Sequence, residues 1–197
     1  MRRWLFIFLL LVPSLSLRGQ EPSSQQLKEK ILSCCAEAVA LDCDFVQTRE
    51  SSLLAEKAVS KGRMRYRRPA YLKWEYAQPF SLCFVSDGSG LTMEKDGRKV
   101  PLEGGQERFA REMTRLILSS VEGNFLLDET LFRSEASLDG DRIRVVLHPQ
   151  KKDLRKRWSQ LVLLYDQTTM TASRFEMLEP SGDRTVIVFH ARENTLK

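Results

Sequence analysis

Gly62-Arg63-Met64-Arg65-Tyr66-Arg67-Arg68-Pro69-Ala70-Tyr71-Leu72-Lys73-Trp74-Glu75-Tyr76, followed by Gln78-Pro79 and Ser86-Asp87-Gly88, is the stretch whose reading decides the fold. Proline fixes its own φ and has no N–H to give a ladder, so Pro69 marks the start of a strand rather than its middle. Two strands therefore meet at an Arg-Pro step, and a third ends in an Asp-Gly turn. After Pro69, Leu72, Trp74 and Tyr76 alternate with Tyr71, Lys73 and Glu75. One face is large and apolar and the other mostly polar, as in a sheet wetted on one side.

Outward from this stretch the pattern continues. Residues 42–49 and 57–67 read as strands upstream, the second so charged that one side must face water. Residues 91–93 and 99–102 are short strands around the Asp96-Gly97 turn. Residues 131–137, 141–148, 157–165, 171–178 and 184–192 are further strands, separated by short polar turns and by a basic loop at 149–157. Such spacing predicts an antiparallel meander, not crossover units.

Two segments have helical spacing instead. Residues 25–41 place Leu27, Ile31, Cys34 or Cys35, Ala38 and Leu41 on one stripe, with Ser23 or Ser24 as the cap. Residues 106–121 place Phe109, Met113, Leu116, Ile117 and Val121 together, opposite Arg108, Arg111, Glu112 and Arg115. Glycines 104, 105 and 123 bracket that second helix, which suits a unit able to move. Residues 125–132 form a short helical turn or another strand. The fold class is α+β, mainly antiparallel β: one curled sheet of about ten or eleven strands whose concave apolar face needs a cover.

The 197-residue length suits one domain, 20–197, preceded by a leader. Arg2 and Arg3 precede an apolar run from Trp4 to Val12, then Pro13 and small residues up to Gly19. That is the layout of a secretory signal peptide, cleaved after Ser16 or Gly19, and the run is too short to span a bilayer. Loss of residues 1–19 leaves 28 basic against 26 acidic residues, a net charge of +2. So small a surplus argues against nucleic acid as partner. No cysteine lies near the cleavage sites, so the exported protein is expected to be soluble and without a lipid anchor. Cys34, Cys35, Cys43 and Cys83 remain. They are either buried free thiols or include a bridge from Cys34 or Cys35 to Cys83.

Reaction chemistry is not apparent in the sequence. His148 and His190 both fall in strands, no Cys-x-x-Cys or other metal spacing occurs, and Gly88-Ser89-Gly90 is a hairpin turn with no helix behind it. The expectation is no catalytic residue, no metal and no cofactor. The functional signal is apolar: Leu72, Trp74 and Tyr76, joined by Leu82 and Phe84 or, one step out of register, by Cys83 and Val85.

Led in by Phe45-Val46-Gln47, the stretch resembles the LolA family of periplasmic lipoprotein carriers. The shared features, in order, are Phe45 and Gln47, Gly62, Arg68-Pro69, Trp74, Pro79 and Ser86-Asp87-Gly88. They cover residues 42–94 well and the remainder in outline. The strand at 91–94 is less aromatic than the family's usual one. The resemblance implies an incomplete β-barrel with helices as a lid over a hydrophobic cavity. Leu72, Trp74, Tyr76, Leu82 and Phe84 would line that cavity, and Phe109, Met113, Leu116 and Ile117 would form the lid. Arg68 would be the latch that hydrogen-bonds the lid and holds the empty cavity shut.

The implied function is a periplasmic, monomeric carrier of acylated lipoproteins, loaded by an inner-membrane exporter and unloaded at an outer-membrane acceptor. Two alternatives are a paralogue carrying another lipid or apolar metabolite, and a non-carrier sensor or interaction domain. The basic segment from Lys151 to Arg157 could serve an acidic partner or lipid headgroups, or simply be a solvated loop.

Overall fold

The first helix, α1 (Ser24–Glu37), opens on a capping box. Ser23 Oγ accepts from the Gln26 N–H at 3.3 Å, and Gln26 Oε1 accepts from the Ser23 N–H at 2.8 Å. Leu27, Ile31 and Cys35 form its buried stripe, at helical spacing of four. The helix ends earlier than its apolar pattern predicts. Ala40 and Leu41 pair with Arg67 and Tyr66, so the ladder claims residues that propensity alone would leave helical.

This computed structural model describes residues 21–53 and 57–191 and, within the second helix, says nothing of the Gln106 and Phe109 side chains. The expected leader 1–19 lies outside the described residues. Eleven strands form one antiparallel sheet: β1 (Ala40–Glu50), β2 (Lys57–Arg67), β3 (Tyr71–Gln78), β4 (Leu82–Asp87), β5 (Leu91–Lys95), β6 (Arg98–Val100), β7 (Phe132–Asp139), β8 (Arg142–Pro149), β9 (Gln160–Asp166), β10 (Ala172–Leu178) and β11 (Arg184–Ala191). Their order is β6-β5-β4-β3-β2-β1-β11-β10-β9-β8-β7, so the first and last strands meet in the middle and β6 and β7 are open edges. The barrel is incomplete, as expected.

Both edges are blunted. β6 is three residues long and carries Arg98 and Lys99. β7 is covered by α1: Ser24 Oγ accepts the Ala136 N–H at 2.8 Å, and Lys28 reaches Ser134 Oγ at 3.4 Å. The chain must cross from one edge to the other between β6 and β7, and that crossing is α2 (Gly104–Glu122) with a 3₁₀ turn at Asn124–Leu126. Connectivity alone therefore brings α2 across the mouth of the curl. Residues 125–132 resolve into the end of that turn, a loop and the start of β7. The basic loop contains a four-residue helix, α3 (Lys152–Arg155), which the charge run conceals.

Register fixes the two faces. Met64, Trp74, Phe84 and Met93 lie in one cross-strand row, with Val100 beyond them on β6. The concave face is the core: Phe45, Met64, Tyr66, Leu72 and Trp74 from one half, Ile143, Leu147, Leu161, Leu163, Phe175 and Ile187 from the other. The convex face holds charge pairs, including a two-point Arg63–Asp42 contact at 2.6 and 2.7 Å. Glu176 lies there between Arg174 and Arg184. Gly62 faces Phe45 across the β1–β2 ladder. A Cβ on Gly62 would lie 2.0 Å from the Glu75 carbonyl oxygen and 2.5 Å from Phe45 Cζ, so only glycine lets that ring lie over the strand.

All four cysteines are free thiols. Cys35 belongs to the core, while Cys83 alternates with Leu82 and Phe84 and faces the other side of the sheet, opposite Glu75 and Glu94. A bridge between them would have to pass through the sheet.

Candidate functional site

The concave face divides into a filled part and an open part. Phe45 stacks on Trp74 with ring centroids 4.0 Å apart, and Tyr76 meets Phe45 edge-on at 5.4 Å. Leu72 and Trp74 are buried in the same core as Leu116 and Ile117 of α2. The C-terminal half of α2 thus contributes to the same buried core as Leu72 and Trp74. Those two residues are buried in the core here and are not among the residues that line the cavity described next.

Tyr76, Leu82 and Phe84 do line one. With Gln47, Phe80, Ser81, Met93, Lys95, Val100 and Pro101 they surround a cavity of about 660 Å³. That is a size typical of small-ligand sites, about 300–1,000 Å³, and the walls are mainly apolar. Register settles the alternative left open by the sequence: Leu82 and Phe84 stand opposite Tyr76 and Trp74, while Cys83 and Val85 face away. Phe80, Met93 and Val100 were not singled out in the sequence. Met93 and Val100 were legible by counting along the row from Phe84, but Phe80 lies in a turn, where periodicity is silent.

A second cavity of about 370 Å³ lies beyond Gln47, lined by Gln47, Arg49, Glu112, Met113, Lys156, Arg157, Trp158, Met177, Glu179 and Thr185. It is more polar and carries charges of both signs. Gln47 belongs to both cavities, and its Oε1 accepts the Tyr76 hydroxyl at 3.0 Å. Burial pushes the Tyr76 phenol above its ordinary range, opposed by its contacts with Trp74 and Gln47. It is neutral and serves as a donor.

Among the described residues three polar contacts tether α2, all at or beyond Glu112. Arg157 forms an ion pair with Glu112. The buried Tyr165 hydroxyl donates to the Ser120 carbonyl at 3.2 Å, and the Tyr66 hydroxyl donates to Glu122 at 3.2 Å. Glu112 is therefore half-buried and paired rather than on a solvated face. Met113 lines the second cavity, Leu116 and Ile117 are buried, and the Phe109 side chain lies outside the described residues. Gly104 at φ +55 and Gly123 at φ +74 stand at the two ends of α2, in a region few other residues adopt.

Arg68 is fixed, but to α1 rather than to α2. Its Nη2 donates to the Cys35 carbonyl at 2.9 Å and its Nε to the Ala38 carbonyl at 3.2 Å. Both carbonyls lie at the helix C-terminus, where positive charge is favoured, and the Cys35 carbonyl also accepts the Ala38 N–H at 3.3 Å. The backbone N–H of Arg68 also donates to Val39 at 2.9 Å. Burial pushes the thiols of Cys35 and Cys43 up to about 11 and about 12, which leaves them as apolar packing groups.

His148 lies on β8 and His190 on β11, with β9 and β10 between them, so the sheet does not bring the two together. Among the described residues no cluster of three or more His, Cys, Asp or Glu could hold a metal. No described helix is long and apolar enough to cross a membrane.

Residues 36–196 match the model of one protein family, described as outer membrane lipoprotein carrier protein LolA. No curated protein matches the chain by sequence. Among solved structures, it is similar to the LolA superfamily protein NE2245 from Nitrosomonas europaea, at 9% identity with a TM-score of 0.41, covering 86% of this chain and 92% of that one. It is similar to LprF from Mycobacterium bovis at 11% identity and a TM-score of 0.47, covering 88% and 95%. A chain of the Pseudomonas aeruginosa MucA/MucB complex gives 10% identity and a TM-score of 0.43, covering 85% of this chain and 59% of that one.

Proposed function

The chain belongs to the LolA family, and from that premise we propose that it is a periplasmic carrier that shelters the acyl chains of lipoproteins and ferries them from the inner to the outer membrane. It acts by binding, without catalysis. The supporting observation is the apolar cavity of about 660 Å³ on the concave face of an unclosed sheet, lined by Tyr76, Phe80, Leu82, Phe84, Met93 and Val100. The basic, apolar and small-residue layout of residues 1–19 supports export. An inner-membrane exporter supplies the cargo, and an acceptor in the outer membrane receives it.

Burying acyl chains stabilises them by about 0.8 kcal/mol per methylene, so several chains together gain tens of kcal/mol. A carrier must match that shelter and still let go, which a lid achieves better than a closed pocket. Opening at the N-terminal part of α2, away from its three tethers, would extend the cavity toward Trp74 and Leu72. Met113 suits such a surface, because its unbranched chain adapts to varied apolar shapes. Arg68 holds the end of α1 in the unloaded state and must release it as the cavity widens.

The test is to express the chain into a periplasm, purify it without detergent, and extract it for mass spectrometry alongside a transfer assay from donor membranes. Bound acylated lipoprotein, or its transfer, supports the carrier. A different lipid would replace the cargo in this reading. An empty protein that takes up no fluorescent fatty acid would refute carriage and favour an interaction domain.

A further inference from the structure

Gln47 stands where the two cavities meet, a polar side chain beside mainly apolar walls. Phe45 precedes it on the same face, and Ile187 lies opposite it on β11. A carboxamide offers one acceptor oxygen and two N–H donors. The acceptor is engaged by the Tyr76 hydroxyl at 3.0 Å, which fixes the orientation of the amide. Among the described residues no protein acceptor takes up the Nε2 group, which is left to face the space the two cavities share. Among the described residues no buried side-chain nitrogen or oxygen lacks a partner, so Nε2 is reached by water; a ligand that fills the cavity displaces that water and must offer an acceptor in its place.

The two cavities differ in what they can hold. The larger has mainly apolar walls, with Lys95 and Ser81 as its charged and hydroxyl groups. The smaller carries Arg49, Arg157, Glu112 and Glu179. A molecule spanning both needs a hydrocarbon part, a hydrogen-bond acceptor at the junction and a polar remainder. An alkyl chain joined to a polar group through an ester or amide has those parts in that order.

We infer that Gln47 is a carbonyl-reading position: its Nε2 donates to the ester or amide carbonyl of an acyl ligand whose chain fills the cavity of about 660 Å³ and whose polar end passes into that of about 370 Å³. Tyr76 is the positioning residue that holds the amide in that orientation. This inference rests on the carrier reading and adds to it the residue that recognises the carbonyl of the acyl group.

The experiment uses the chain without its leader and a neutral fluorescent probe, displaced by 1-palmitoylglycerol or by its ether analogue 1-hexadecylglycerol, which lacks the carbonyl. The wild-type protein is expected to prefer the ester by about 5- to 30-fold, the value of one hydrogen bond in an apolar site. Gln47→Leu should lose that preference, read as the ratio of the two affinities, with its fold checked separately by circular dichroism and urea unfolding. Tyr76→Phe should reduce the preference in part, and it provides an independent arm if Gln47→Leu does not fold. Equal binding of the two lipids by wild type, or an undiminished preference in Gln47→Leu, would overturn the inference and leave the carrier reading intact. Binding of neither lipid by wild type would remove the carrier reading, and this inference with it.

Discussion

Replacing Gly62 by alanine tests the packing on which the cavity floor rests. The added Cβ would stand 2.0 Å from the Glu75 carbonyl oxygen and 2.5 and 2.8 Å from Phe45 Cζ and Cε1. An ordinary carbon–oxygen contact is about 3.3–3.6 Å, so β3 must retreat by over an ångström where its register already shifts, between Lys61 and Gly62. Overpacking of this kind costs about 1–3 kcal/mol, and disturbing the Phe45–Trp74 stack adds about 0.5–1.5 kcal/mol. The expected loss is about 2–4 kcal/mol, a large share of a typical total of about 5–15 kcal/mol. Gly90→Ala is the control: nothing lies within 4 Å of its Cβ, so it should be neutral or stabilising by about 0.4–1 kcal/mol. In the Phe45→Ala background most of the Gly62→Ala cost should persist, because the nearest obstacle is backbone. Urea unfolding followed by tryptophan fluorescence measures all five proteins, wild type included. A Gly62→Ala protein within about 0.5 kcal/mol of wild type would show that this close approach does not hold the strands together.

Arg68→Leu should keep the fold, with a loss of about 0.3–1 kcal/mol from the uncapped end of α1. It should speed hydrogen exchange near Cys35 and Ala38 and block delivery; normal delivery refutes the latch. Glu176 loses stability to burial, but its pairs with Arg184 and Arg174 outweigh that and hold the carboxyl below its ordinary 4.5. A depressed carboxyl contributes stability above its unfolded pKa and loses it as pH falls through the folded value. The unfolding midpoint should therefore drop below pH 4.5, with a shallower drop in Glu176→Gln; parallel curves would contradict this. The Cys35 and Cys43 thiols, at about 11 and about 12, should resist iodoacetamide at pH 8 in the native protein and react in urea. Native labelling of Cys43 would place it outside the core.

The meander was legible because strand period and turn residues agree throughout: β2 begins and ends where its alternation does. What escaped depends on partners distant in sequence. Residues 38–41 carry a helical stripe, but Ala40 and Leu41 are drawn into pairing with β2, and Arg157 reads as strand until Glu112, 45 positions away, captures it. Leu116 and Ile117 were legible as a buried stripe of α2, but no periodicity tells that they join the same core as Trp74 while the space near Phe84 stays open. Gln47 was visible only as part of a motif. Its place between two cavities needs three strands and α2 set around it.

That open space limits how the molecule can rest. A sealed, empty cavity costs about 24 cal/mol per Å³. At about 660 Å³ the cost would be about 16 kcal/mol, as large as or larger than the net stability of a typical domain. The cavity must therefore be wetted through an opening or filled. Phe80 marks the opening: it packs against Tyr76 at 5.5 Å yet is 48% exposed, at the rim of the same cavity. The filled half of the concave face, from Trp74 to Ile117, supplies the stability, and so the other half can remain unpacked. Under the proposed carrier function, closure of α2 over the whole face would be favourable only with a ligand inside, which would make occupancy, rather than the lid alone, the quantity that decides between open and shut.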